Sequence, residues 1–497
     1  MPVPTPADAA RLAGAAAGPR ALRPLLDTVL AALAEGAAAR CGPLPAGGPD
    51  AVTRRLTELI GPTLPTHGTG PHDALRTLVT ALAEGAADPA DPHCAAHLHA
   101  PPLAVAVAAD LAAAALNPSM DSWDQAPAAS ALEHRLARDL ARLVHPRGPA
   151  PDALVTTGGT ESNLIAALLA RENLPPHLTL ICGANAHHSV HRAAWLLGLP
   201  APTVLPTPRG LLDPAAVHHA LTTPRPPHRP HAPPALVVAT AGTTDSGAID
   251  PLRPIADIVA AHRAHRPTAL HVDAAYGGPL LLSPTHRAKL TGLDRADTVT
   301  LDLHKLGWQP VAAGLLTTPD RAALTPLAQR ADYLNAEDDT EAGLPDLLGR
   351  SLRTTRRPDI LKIAATLRAL GTSGLAALVD RTCRAAADLA GLVAAEPRLT
   401  LHAPPTISTV LFRPAGATDQ HVAAVRRRLL TEGRAVLGRA RAHGPDGRPA
   451  LWLKATLLNP FAQPNDLAAL VKLVLDQDPE HADDRPPHRR SPQDTRP

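Results

Sequence analysis

The chain has 497 residues, 45% of them hydrophobic, and a formal net charge of +2, so it can bury more than one sizeable core. Balanced charge and an aromatic content of only 2% argue against a nucleic-acid binder, which needs a basic face and stacking platforms. The N-terminal MPVPTPADAARLAG lacks the basic segment and apolar core of a secretory signal.

Residues 1–90 are expected to form a helical arm, because Ala21–Ala34 carries Leu22, Leu25, Leu26, Val29 and Leu33 along one side. The longest apolar run, Leu103 to Leu116, is broken by Asp110 and falls short of the roughly twenty residues a membrane helix needs. It reads as a buried helix, and no membrane partner is expected. Cys41, Cys94, Cys182 and Cys383 show neither C-x-x-C pairing nor metal-ligand spacing, so reduced thiols, no metal site and a cytoplasmic setting are expected.

From Asp152 onward, short apolar runs alternate with helical stretches. Candidate strands at 153–157, 177–182, 202–206, 235–240, 268–273, 298–303 and 312–317 imply a seven-stranded, largely parallel sheet covered on both faces. The Pro-rich segment 223–234 cannot donate regularly to helix or sheet and reads as a surface connection. A long helix beginning near Asp359 should lead to a smaller α/β unit, with strands near 407–412 and 451–457 and helices near 419–431 and 464–475. The resulting division is an arm over 1–90, a large domain over 91–373, a small domain over 374–475 and a charged, Pro-rich, disordered tail over 476–497.

Four segments of the large domain carry chemistry. Between a strand and a helix, Thr156-Thr157-Gly158-Gly159-Thr160-Glu161-Ser162-Asn163 offers glycines for a tight turn, Thr160 as a cap and a positive dipole end, together a phosphate cradle. Taken alone it is equally an ordinary Gly-rich turn, and it lacks the G-x-x-x-x-G-K-[ST] pattern of a nucleotide triphosphatase. His187 and His188, in the run from Ala184 to Ala193, begin a further helical stretch. A flat imidazole there can stack on an aromatic cofactor and exchange protons, or be a solvated helix-start residue.

Asp273 ends the apolar run in His271-Val272-Asp273-Ala274-Ala275-Tyr276. A parallel sheet puts that carboxylate at the edge where ligands bind, where it can hold a pyridine nitrogen protonated, or simply cap a helix. Lys305 follows His304 at the end of Thr298–Gly307 and is one of only five lysines, an amine suited to forming an imine with an aldehyde. Cradle, acid and amine thus fall in chain order on three sheet edges.

With these motifs, the stretch from about Asp91 to Pro460 resembles the group II pyridoxal-phosphate decarboxylases, whose members act on aromatic amino acids, histidine, glutamate and diamino acids. The resemblance implies an aspartate-aminotransferase-like fold and bound pyridoxal 5'-phosphate. Lys305 would be the Schiff-base lysine, Asp273 the partner of the pyridinium nitrogen, Ala275 a residue beneath the ring and His187 the stacking and proton-transfer residue. Gly159, Thr160, Glu161 and His304 would lie about the phosphate, and Thr244, in ATAGTT (239–244), near the phenolic oxygen or the substrate carboxylate.

NPSMDSWDQ (117–125), LLGRSLRTTRR (347–357) and LKATLLNP (453–460) look most like the diamino-acid branch, which decarboxylates lysine or 2,4-diaminobutyrate, often toward siderophores or polyamines. By the same resemblance His93–Pro102 lines the substrate pocket, so that Asp121, His97 and His99 would meet a distal ammonium. Asp121 reads equally as a turn cap. Members of this group share active sites across a homodimer, so a dimer with a wrapped arm is expected.

Two departures stand out. Ala336–Leu348 has no Tyr where relatives carry a proton-donating one, Tyr333 lying just before it. Asp302 replaces the Asn of many relatives near the phosphate, where two anions would repel unless Asp302 turns away or is bridged. The missing Tyr keeps a transaminase or a decarboxylation-dependent oxidase in play. A catalytically silent binding subunit is the third reading, against which the intact Lys305 and Asp273 speak.

Overall fold

The computed structural model describes residues 11–222, 233–328, 337–345, 347–444 and 447–477. Most of the Pro-rich connection, Tyr333 and the expected disordered tail beyond Gln477 lie outside them.

The arm is helical, with α1 (Gly18–Arg40), α2 (Gly48–Ile60) and α3 (Pro71–Gly85). A two-residue strand β1 (Cys94–Ala95) and helices α4 (Ala104–Leu116) and α5 (Pro127–Val144) lead to the large sheet. In chain order the sheet region holds β2 (Asp152–Thr156), α6 (Gly159–Asn173), β3 (Thr179–Gly183), α7 (Ser189–Leu196), β4 (Thr203–Leu205) and α8 (Pro214–Thr222). It continues with β5 (Ala235–Thr240), α9 (Leu252–His262), β6 (Thr268–Asp273), β7 (Thr298–Asp302) and β8 (Gly314–Thr318).

All seven expected strands are present, in the order β2-β8-β7-β6-β5-β3-β4. Only β8 runs against its neighbours β2 and β7. The neighbouring pairs from β7 to β4 are parallel, so the carboxyl ends of these strands share one edge. Strands such as β2, β5 and β7 are buried along their whole length, which is why they read as unbroken apolar runs.

The small unit is a five-stranded sheet in the order β1-β11-β12-β10-β9. Its strands are β9 (Leu399–Leu401), β10 (Thr409–Pro414), β11 (Val436–His443) and β12 (Pro449–Thr456), covered by α11 (Asp419–Thr431) and α12 (Pro464–Leu475). The segment at Cys94, expected in the large domain, pairs here in parallel with Val436 and Leu437 of β11.

One helix, α10 (Ile360–Ala395), serves both cores and kinks at Gly371, where φ is +66°. The expected border at 373/374 lies beside this kink, yet Leu375, Leu378, Val379 and Cys383 still pack into the first core. The second core begins at Ala385 and takes Leu389 and Val393 against Phe412, Val422 and Leu453. The two units therefore share one helix. That helix is long and apolar enough to cross a bilayer, but here its sides fill two protein cores.

Helix α4 corrects an expectation. Only Ala106 and Ala113 are buried, while Val107 is 47% and Leu116 75% exposed. Apolar composition demands cover, and the single chain does not supply it for this helix.

Candidate active site

The carboxyl edge of β6 and β7 and the turn after β2 open onto one cavity of about 360 Å³. Lys305, Asp273, His187 and His304 line it together with Gly159, Thr160, Ala275, Thr244 and His97. Residues far apart in the chain meet here because parallel strands deliver their loops to a common edge.

The turn after β2 forms the floor. Gly158, at φ +147°, precedes α6, and a Cβ there would lie 2.9 Å from Cε1 of His304. A Cβ on Gly159 would sit 3.1 Å from the Cβ of Ala275 and 3.2 Å from Oδ2 of Asp302. Side chains are thus excluded from the point where the positive end of α6 faces the cavity. The helix cap is Gly158 rather than the expected Thr160, which lies within the first turn. Glu161 is absent from the wall. Its Oε2 accepts from Thr157 N at 2.6 Å and Thr157 Oγ1 at 2.7 Å, while Oε1 pairs with Arg353 at 3.3 Å. It braces the cradle from outside.

At the end of β7 the carboxylate of Asp302 is bridged. Its Oδ2 lies 2.9 Å from Nζ of Lys305 and 3.6 Å from Nε2 of His304. Its Oδ1 is buried without a hydrogen-bond partner. Burial holds the His304 imidazole below its usual pKa although Asp302 pulls the other way.

At the end of β6, Asp273 is 6% exposed. Its Oδ1 accepts from Ala275 N at 3.1 Å and its Oδ2 from Asn163 Nδ2 at 2.7 Å. The cavity also receives His187, whose pKa burial pushes down while Asp273 pulls it up. Asn163 and Ser189, which stand behind these two residues, carried no assignment in the sequence. Each is a common polar residue whose partners come from distant strands.

Lys454, on β12, is a cavity residue to which the sequence gave no role, although it lies in LKATLLNP (453–460). It is 7% exposed and donates to the carbonyl of Thr244 at 3.0 Å, and burial lowers its pKa against the pull of Asp245. The scarcity of lysine was the available signal. Tyr276, also on the wall, binds Ser408 Oγ at 2.8 Å and Thr409 Oγ1 at 3.0 Å, and its burial pushes the phenol up to about 12. It fastens the large sheet to β10.

The expected distal-ammonium group divides. His97 reaches the cavity, its pKa lowered by burial and by neighbouring Lys454. His99 and Asp121 do not reach the wall of their own chain. Asp121 is 7% exposed and accepts from Gln125 Nε2 at 2.9 Å, so it closes a turn. Its neighbour Ser122 joins the same turn through Gln125 at 2.8 Å.

The donor set fits pyridoxal phosphate. Thr160, His304 and the helix end at the glycine turn suit its phosphate, Asp273 its ring nitrogen and Lys305 its aldehyde, with His187 and Ala275 on the wall between. The glycine turn keeps the phosphate end clear, since a Cβ at Gly158 would meet His304 and one at Gly159 would meet Ala275.

The chain is similar to known proteins. The profile described as the pyridoxal-dependent decarboxylase conserved domain matches residues 55–415. An L-2,4-diaminobutyrate decarboxylase of Rhizobium meliloti is 39% identical over 451 residues, covering 88% of this chain and 87% of the relative. One of Acinetobacter baumannii is 32% identical over 441 residues, covering 82% and 84%. Among solved structures, the glutamate decarboxylase domain of a diaminobutyrate-pyruvate transaminase and L-2,4-diaminobutyrate decarboxylase from Vibrio parahaemolyticus aligns with a TM-score of 0.80 at 27% identity, covering 94% of this chain and 97% of that one.

Proposed function

The chain belongs to the pyridoxal-dependent decarboxylase family, and from that premise we propose that it decarboxylates an L-amino acid bearing a second amine, with 2,4-diaminobutyrate the first substrate to test. It is a carboxy-lyase that uses pyridoxal phosphate. The observation that carries the reading is the meeting of Lys305 and Asp273, from adjacent strand ends, on one cavity. The decarboxylases of Rhizobium and Acinetobacter support the choice of diamino acid.

When bound, pyridoxal phosphate supplies the electron sink that stabilises the carbon left by departing carbon dioxide. Lys305 would hold the aldehyde through its amine. Asp273, fixed by two N–H donors, would face the ring nitrogen and favour a proton there by its charge. The buried Lys454 attracts the substrate carboxylate, and the low exposure of its surroundings strengthens that attraction. His187 stands on the cavity wall, where its flat ring would lie against the bound group.

A homodimer fits the exposed apolar side chains of the arm and of α4, among them Leu30 at 65%, Leu82 at 63% and Leu116 at 75%. A reducing, cytoplasmic setting accords with four free cysteines. A diamine product suits siderophore or polyamine assembly.

The test is carbon dioxide release by the purified protein from 2,4-diaminobutyrate, lysine, ornithine, glutamate and aromatic amino acids, with ammonia and hydrogen peroxide measured alongside. Preference for a diamino acid supports the reading. Ammonia or peroxide in place of carbon dioxide and amine overturns it.

A further inference from the structure

Behind the cavity wall lies a continuous buried set of hydrogen bonds centred on Asn163, which is 3% exposed. Its Nδ2 donates to Oδ2 of Asp273 at 2.7 Å and to Oγ of Ser189 at 2.8 Å. Its Oδ1 accepts from Oγ1 of Thr300 at 2.8 Å and meets Nε2 of His271 at 3.0 Å. All four hydrogen-bonding positions of the amide are filled, and an ionised carboxylate has only acceptors, so the amide nitrogen must face Asp273.

That orientation sets the proton of His271. His271 donates through Nε2 to the amide oxygen, and its Nδ1 accepts from Oγ1 of Thr298 at 2.9 Å. Ser189 accepts the Asn163 amide hydrogen with one lone pair, which leaves its hydroxyl able to donate to Nδ1 of His187 at 2.8 Å or to accept from it, so the backbone decides. The backbone N–H of Ser189 points at the same Nδ1 at 3.3 Å. That N–H makes Nδ1 the acceptor, and the hydroxyl of Ser189 then donates to it as well.

We propose that Asn163 and Ser189 are positioning residues that hold His187 as the neutral ring with its proton on Nε2 and couple that tautomer to the ionised carboxylate of Asp273. Reversal of the tautomer would set the Nδ1–H against the backbone N–H of Ser189 inside the protein. The ring nitrogen without a hydrogen-bond partner among the described residues, Nε2, is then the proton-bearing one on the cavity side. The charges facing the ring are Asp273 and Asp302, which favour its protonation, and His188 and Lys305, which oppose it. Burial opposes it most. The inference rests on the reading that His187 and Asp273 serve one bound ring.

The direct test is nitrogen-15 NMR of histidine-labelled holoenzyme, with the His187 signals identified by their loss in His187→Gln. A pyridine-like Nδ1 and a pyrrole-like Nε2 are expected, and the opposite pattern overturns the proposal whatever the substrate proves to be. The second test is Ser189→Ala holoenzyme, compared at equal cofactor content and with its melting temperature recorded. We expect kcat to fall about tenfold with KM little changed. The acid limb of the kcat profile should move up by about one pH unit as Nδ1 becomes free to take a proton. Ser189→Thr, which keeps the hydroxyl, should restore both. A folded Ser189→Ala enzyme with the parent's pH profile and kcat overturns the proposal.

Discussion

Nζ of Lys305 and Oδ2 of Asp302 lie 2.9 Å apart, one turn of chain from each other at the end of β7. The free amine thus bridges the acid beside the phosphate cradle, and when Lys305 is engaged with the aldehyde His304, 3.6 Å from Oδ2, is the neighbour left to Asp302. Lys305→Ala should abolish turnover and the visible absorbance of the bound cofactor, measured on purified protein. Retention of either property would remove Lys305 from the role assigned to it. Lys454→Ala should keep the absorbance and raise KM by roughly tenfold or more, as loss of a buried carboxylate partner would.

Asp273 receives two N–H donors and is nearly enclosed. Asp273→Ala should leave cofactor bound through Lys305 while kcat drops on the order of 10³-fold, equivalent to ~4 kcal/mol of barrier. Single-turnover carbon dioxide release at saturating cofactor checks this, and a rate near that of the parent would count against the acid's part in the chemistry.

Arg356 and Glu133 form a bidentate pair at 2.6 and 2.7 Å, with side-chain exposures of 1% and 4%. Removing one partner strands a buried charge, so Arg356→Ala should destabilise the fold by roughly 3–5 kcal/mol in urea unfolding. The double substitution Arg356→Met with Glu133→Leu should recover much of that loss. A single variant as stable as the parent would show the pair to be relaxed by solvent.

His145 is 1% exposed, and burial brings its pKa down to about 4. In the unfolded chain the imidazole titrates near ~6.5, so between these values the unfolded state binds more protons. Stability should therefore be fully present above ~6.5 and fall as the pH drops toward 4, by up to ~3 kcal/mol for this one ring. His145→Gln should flatten that part of the stability profile, and an unchanged slope would assign the acid sensitivity to other groups.

The large sheet was legible because strands buried on both faces must be apolar throughout, and its catalytic side chains fall at strand ends within distinctive runs. The strand β11, VLGRARAH, was missed, since Arg439 is exposed and Gly438 interrupts the pattern. Strands β1 and β9, of two and three residues, are too short to leave a period. Asn163 and Ser189 were invisible as functional residues because their significance lies in contacts with β6, β7 and α7. Asp121 shows the converse, where a carboxylate suggestive in the sequence closes a local turn with Gln125.

The pairing of Cys94 with Val436 has a consequence for how the polypeptide reaches its final form. During synthesis, the stub at 94–95 leaves the ribosome long before the strand it must meet, so one border of the C-terminal sheet stays open until the molecule is almost finished. Closing so large a loop is slow. Until it closes, the bare flank of β11 can recruit a strand from another nascent copy, which makes yield on refolding sensitive to protein concentration.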